Sequence, residues 1–171
     1  MVKMTSAYAN KLLKQLNEDK EYWLNKERNS CVYTVAVGET PVVPEYDYAE
    51  VAETIEELDR KICIIKHAIN QANVLGSVEI EGKQFSIDTI LVRMAQLNKR
   101  KGMLDFMRKQ SPKSRKEQHG YGARLVTPEY QYINYDLELI KAEYERISEE
   151  IMNMQIALDR YNQTYEFEVE L

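Results

Sequence analysis

Six glycines and four prolines in 171 residues leave few breaks in regular structure, so long uninterrupted elements are expected. No apolar run reaches the roughly eighteen residues that a membrane-spanning helix needs. The first sixteen residues, Met1 to Leu16, lack the apolar stretch and small-residue cleavage site of a secretory signal. A cytoplasmic protein is the expectation. The two cysteines, Cys31 and Cys63, lie in a β-like and a helical segment with no CxxC or Cys/His spacing, which argues for reduced structural thiols and against a zinc clip or a disulfide framework. Histidine is equally scarce. Of the two, His67 falls just off an apolar helical seam and His119 in a basic connection. A di-metal site of the ferritin kind would need Glu-x-x-His pairs on two helices, and the residue three before His67 is Ile64. No cofactor, metal or catalytic residue is therefore expected.

Tyrosine, by contrast, is abundant: twelve against three Phe and one Trp. A phenol buries apolar area while keeping a polar tip, which suits half-buried positions and subunit interfaces. The net charge of −5 is unevenly spread. From Lys99 to Arg124 nine Lys/Arg stand against Asp105 and Glu117, a local +7 that leaves −12 for the rest.

Apolar spacing predicts a first helix over about 5–29, its stripe carried by Tyr8, Leu12, Leu16 and Trp23 with Leu13 and Leu24 beside it. Cys31 to Val37 is rich in β-branched residues and predicts a strand or extended arm, ended by Gly38 and the Pro41/Pro44 stretch. Asp47 opens a second helix, about 48–73, as an N-cap with Glu50 three residues on. Val51, Ile55, Leu58, Ile62, Ile65, Ile69 and Ala72 then step alternately by four and three, a heptad seam. A hairpin turning at Glu81-Gly82 is expected within 78–85. Ser86 caps a third helix, about 87–109, with Ile87, Ile90, Met94, Leu97 and Leu104 in the same rhythm; Lys101, its one charged member, marks where that helix should leave the core. A basic loop fills about 110–128, and Tyr130 to Ile133 runs extended. Asn134 is expected to cap the last helix, about 135–163, whose seam (Leu137, Ile140, Tyr144, Ile147, Ile151, Met154, Leu158, Tyr161) is the most regular in the chain. The alternation of Glu166 to Leu171 predicts a half-buried, docked strand over 166–171. The fold class is mainly α: one domain over 1–171, an antiparallel coiled-coil or helical bundle of three to four long helices with short β segments in the connections and at the C-terminus. So much apolar and tyrosine surface on an elongated protomer predicts a homo-oligomer.

Several phrases occur in an order that resembles the septicolysin-like family of uncharacterised bacterial helical proteins: Ile69-Asn-Gln-Ala-Asn73, Glu81-Gly82, Ile87-Asp-Thr-Ile-Leu91, the basic Arg115 to Tyr121-Gly segment, and the closing Leu158-Asp-Arg-Tyr-Asn-Gln-Thr-Tyr-Glu-Phe-Glu. Cys31-Val-Tyr, Pro44-Glu-Tyr-Asp-Tyr, Ile65-Lys-His-Ala-Ile-Asn and Asn134-Tyr-Asp resemble its branch from anaerobic Gram-positive bacteria and their mobile elements. The resemblance runs nearly end to end. It implies a helical cytosolic protein with no catalytic residues to transfer, and the mobile-element setting suggests counter-defence. The cytolysin in the family label is not matched by any membrane-inserting segment.

One stretch draws a ligand hypothesis. Lys113, Arg115, Lys116 and Arg124 supply cations, Tyr121 an aromatic platform, His119 a further donor, and Gly120 and Gly122 let backbone N–H groups turn toward an anion. A flexible linker explains the same composition. With −12 elsewhere, the field repels a nucleic-acid polymer but less so a small anion. The leading expectation is a non-catalytic oligomer that sequesters a small anionic, nucleotide-like ligand at a subunit interface. The alternative is a coiled-coil structural or adaptor protein that binds another protein.

Overall fold

The computed structural model describes residues 1–116 and 127–170. It is mainly helical, with short antiparallel strands: β1 Val2–Thr5, α1 Ser6–Ser30, α2 Tyr48–Leu75, β2 Ser77–Ile80, β3 Lys83–Ser86, α3 Ile87–Arg108, β4 Lys113–Arg115, β5 Tyr130–Tyr132, α4 Leu137–Thr164 and β6 Glu166–Val169. Each sheet has two strands, pairing β1 with β6, β2 with β3 and β4 with β5. Two compact units emerge, Met1–Val78 with Leu158–Leu171, and Glu79–Ala157.

In the first unit α1 and α2 run antiparallel. Lys20 Nζ meets the Asp59 carboxylate at 2.6 Å and Tyr46 Oη donates to Glu27 at 3.1 Å, so residues later in α1 face residues earlier in α2. The cluster beneath them holds Met4, Ala9, Leu13, Ile62, Ile65 and Val169. Ala9 and the buried Ser6 are small, which lets α1 approach its neighbours closely, and the buried stripe of α1 is Ser6-Ala9-Leu13. The expected lead residue of that stripe, Tyr8, is instead 56% exposed, because Ala9 and Leu13 turn its side of the helix to solvent. The seam of α2 holds: Val51, Ile62, Ile65 and Ala72 are buried, and Asp47 caps the helix by accepting from the Ala49 and Glu50 amides. β6 is docked as expected, with β1 as its partner; the register sets Val2 opposite Val169 and Met4 opposite Phe167, and puts Lys3 across from Glu168.

Gly76 ends α2 under a tight constraint. Tyr161, 5% exposed, donates from Oη to the Ala72 carbonyl at 2.8 Å, and the Gly76 amide donates to that same carbonyl at 2.8 Å. A Cβ on Gly76 would stand 2.0 Å from the tyrosine oxygen. Burial, with Tyr165 stacked 4.6 Å away, pushes the Tyr161 phenol up to about 12.

In the second unit β2 and β3 turn at Glu81 (φ 52°) and Gly82 (φ 75°), the two left-handed residues that a tight hairpin turn demands. Asn153 of α4 donates to the Glu81 carboxylate at 3.3 Å. α3 and the first part of α4 run antiparallel: Arg93 meets Glu150 at 2.9 Å, and Lys101 and Arg108 lie 5.3 and 4.0 Å from the Tyr144 ring centre. Lys101 does not mark an exit from the core, since Leu104 beyond it is fully buried; the lysine lays its charge over Tyr144 while its neighbours pack.

Two further expectations are corrected. α4 is capped by Asp136, whose carboxylate accepts from the Glu138 and Leu139 amides, and not by Asn134. Cys31 to Val37 is irregular and exposed, with no strand partner among the described residues, where a strand was one of the two forms expected.

Candidate functional site

The basic connection after α3 begins with a β-ribbon that the expected loop over 110–128 did not contain. Pro112 cannot continue a helix; its carbonyl accepts from the Ile133 amide at 3.3 Å, and the Lys116 amide donates to the Glu129 carbonyl at 2.9 Å, so both ends of the ribbon are tied. Between these ties Lys113 pairs with Tyr132, Ser114 with Gln131 and Arg115 with Tyr130. Because side chains alternate along a strand, that register gathers Lys113, Arg115, Tyr130 and Tyr132 on one face. The ammonium of Lys113 sits 4.3 Å from the Tyr130 ring centre and 5.5 Å from that of Tyr132. A cation held over a ring by its quadrupole keeps its N–H donors for an anion. Arg115 is exposed and has no ion-pair partner among the described residues. Lys116 is committed to Glu129 at 3.0 Å.

Beside the ribbon Ser114, Gln131 and Tyr132, with Met103, Phe106 and Tyr135, line a cavity of about 300 Å³ against the end of α3. The Tyr135 hydroxyl fixes that junction by donating to the Met107 carbonyl at 2.7 Å. The nearby helical cations are already spent: Arg108 and Lys109 both bind Asp105, which holds that carboxyl below its usual range, Lys109 contributing most.

Of the six residues singled out in the sequence, the structure brings Lys113 and Arg115 onto one platform and diverts Lys116 to an ion pair. His119, Tyr121 and Arg124 lie outside the described residues. The aromatic members that the structure does supply, Tyr130 and Tyr132, went unread as site residues, although their spacing of two in an extended run is the signal of a shared face. His67 lies exposed in a groove of about 590 Å³ with Cys63, Gln71, Glu168 and Glu170 over a floor of Ile64 and Val169. Among the described residues no group of three or more His, Cys, Asp or Glu is placed to hold a metal ion, and no helix is long and apolar enough to cross a membrane.

No family model matches the chain, and no curated protein matches it. Among solved structures the chain is similar to a functionally unknown conserved protein from Corynebacterium diphtheriae, with a TM-score of 0.68 at 16% identity over 98% of this chain and 100% of that one. At that identity the likeness concerns the fold alone.

Proposed function

We propose that this is a non-catalytic, self-associating binding protein that captures a small anion carrying an aromatic ring, a ligand of the nucleotide class, on the Lys113, Arg115, Tyr130 and Tyr132 face of the β4–β5 ribbon. The observation that carries it is the cross-strand register, which sets two cations directly opposite two exposed tyrosines. A base stacked on a tyrosine ring contributes roughly 1–3 kcal/mol, and a guanidinium grips phosphate oxygens in pairs. A net charge of −5 suits a small ligand better than a polyanion. Within each unit the buried seam positions support an antiparallel, coiled-coil-like packing, α2 on α1 and α3 on the first part of α4, with the ligand enclosed where protomers meet. Membership of the septicolysin-like family rests on the order of the sequence phrases.

Calorimetry with a panel of nucleotides, free bases and inorganic phosphate tests the ligand class. A nucleotide should bind wild type, with Arg115→Ala weakening it about 10- to 100-fold, as loss of a charge-assisted hydrogen bond of about 1.5–3 kcal/mol implies. Tyr130→Ala should weaken nucleotides but not phosphate. If no nucleotide binds wild type, or if both variants bind as wild type does, the proposal fails.

An adaptor role draws support from a different place: Val92, Met103 and Phe106 fall along one line of α3 and are each more than half exposed. If that line docks a protein, Phe106→Ser should abolish recovery of a co-purifying partner while leaving nucleotide binding intact.

A further inference from the structure

The cavity beside the β4–β5 ribbon differs in chemistry from the chain around it. Arg108, Lys109, Lys113, Arg115 and Lys116 follow one another along the stretch that builds one side of it, yet none of its eleven lining residues carries a charge. Half-buried Met107, Ile133 and Tyr135 give it an apolar wall, and Tyr132 adds a ring. That wall is fixed, because the Tyr135 hydroxyl is tied to the Met107 carbonyl and the Ile133 amide to the Pro112 carbonyl. Gln110 is committed too, its Nε2 donating to the Phe106 carbonyl at 3.1 Å. The side chains of Ser114, Gln131 and Asn134 also line the cavity and have no hydrogen-bond partner among the described residues.

These side chains narrow the occupant by elimination. A charged group entering the cavity would leave water and meet no counter-charge. A purely aliphatic group would cover the amides and the hydroxyl without answering them. A planar ring with a donor beside an acceptor on one edge meets both conditions: its faces lie against the apolar wall and the Tyr132 ring, and its edge meets an amide, which offers a carbonyl acceptor beside an NH₂ donor. Nucleobases carry such an edge, and a Gln or Asn amide reads it through two parallel hydrogen bonds. The volume, about 300 Å³, lies at the lower end for ligand sites and suits one ring system with its sugar and phosphate outside.

We infer that this cavity is the base-recognition pocket of the ligand proposed above: Gln131 and Asn134 read the edge of an uncharged nucleobase, while the phosphate lies outside on Lys113 and Arg115. Tyr132 joins the two parts. It lines the cavity and stands opposite Lys113 in the strand register, with the lysine Nζ 5.5 Å from its ring centre. A base against that ring therefore has its phosphate end beside the ammonium. Neutral amides then select the base and cations hold the anion, a division that rests on the nucleotide reading of the ribbon and adds the uncharged half of the ligand to it. An uncharged nucleoside separates the two, since it has the ring without the anion.

Calorimetry on the full chain, with the common ribonucleosides at up to millimolar concentration, their monophosphates and inorganic phosphate, compares wild type with Gln131→Leu, Asn134→Leu and Arg115→Ala. Leucine keeps much of the amide's bulk without its hydrogen bonds, and both positions are exposed, so the circular dichroism of these variants should match wild type. At least one nucleoside should bind wild type. Gln131→Leu, Asn134→Leu or both should weaken that nucleoside and its monophosphate about 10-fold or more, as loss of an amide–base pair implies, and leave phosphate unchanged. Arg115→Ala should weaken the monophosphate and leave the nucleoside unchanged. If wild type binds no nucleoside, or both leucine variants bind it as wild type does, the pocket assignment is overturned. A nucleoside that binds through the amides while Arg115→Ala leaves its monophosphate untouched keeps the pocket and overturns the ribbon reading; a monophosphate that binds through Arg115 with no nucleoside binding does the reverse.

Discussion

Replacing Gly76 with alanine sets two effects of opposite sign against each other. The backbone at Gly76 (φ −76°, ψ 145°) is one that alanine adopts freely, so the unfolded chain alone would make the variant more stable by about 0.4–1 kcal/mol. Against this stands the Tyr161 ring, whose Oη and Cζ would lie 2.0 and 2.5 Å from the new methyl carbon. A buried aromatic wedged between α2 and its own helix cannot yield by rotating a flexible tip. It must swing away, losing the hydrogen bond to Ala72, about 0.5–1.5 kcal/mol, and the stack on Tyr165, about 0.5–1.5 kcal/mol, with part of its burial besides. The steric side wins. A net loss of about 2–3 kcal/mol is expected, which at this chain length lowers Tm by roughly 4–12 °C. Urea unfolding followed by circular dichroism measures it, and Tyr161→Phe supplies the second arm of a cycle. Alone it should cost about 1 kcal/mol. Combined with Gly76→Ala it should cost about 1 kcal/mol less than the two added together, because both single variants lose the same Tyr161–Ala72 hydrogen bond and the double variant loses it once, while the ring carbon at 2.5 Å and the Ala72 carbonyl oxygen at 2.7 Å still crowd the methyl. A Gly76→Ala protein as stable as wild type, or a strictly additive double variant, would refute the reasoning.

Ser6 should respond in the opposite direction. Its Oγ is buried with no hydrogen-bond partner among the described residues, so Ser6→Ala removes a desolvated polar atom and should raise stability by about 1 kcal/mol; a loss in the same urea titration contradicts this. Alkaline pH provides a further check. The Tyr161 phenol, raised from 10.0 to about 12 by burial, ionises more readily unfolded than folded. Its contribution is therefore complete below about pH 10 and is lost as pH rises toward 12. Wild type should lose more stability than Tyr161→Phe across that window, and equal losses would remove Tyr161 from the account.

The helices could be read from spacing because burial on one face of a helix imposes a period that survives without knowledge of the partner. Ile62 and Ile147, picked from the seams, are 7% and 2% exposed. Caps were legible where side chain and amide are neighbours in the chain, as at Asp47 and Ser86; the cap of α4 lay two residues beyond the one expected, since Asn134 and Asp136 offer similar chemistry and helix entry geometry chose between them. The site was half legible. Lys113 and Arg115 stood out by charge density, whereas Tyr130 and Tyr132 lie fifteen or more positions away along the chain.

What the sequence determined by itself was therefore everything carried by local repetition: four helices, the β2–β3 turn at Glu81-Gly82, the docked alternation at β6, and a basic stretch after α3. Tertiary structure decided what depends on pairing between distant segments. It set β1 beside β6, closed α2 on Tyr161, put Ser6, Ala9 and Leu13 inward in place of Tyr8, and turned a basic loop into a ribbon whose cations face tyrosines. Periodicity fixes which side of an element is apolar; only the packed chain fixes what that side meets.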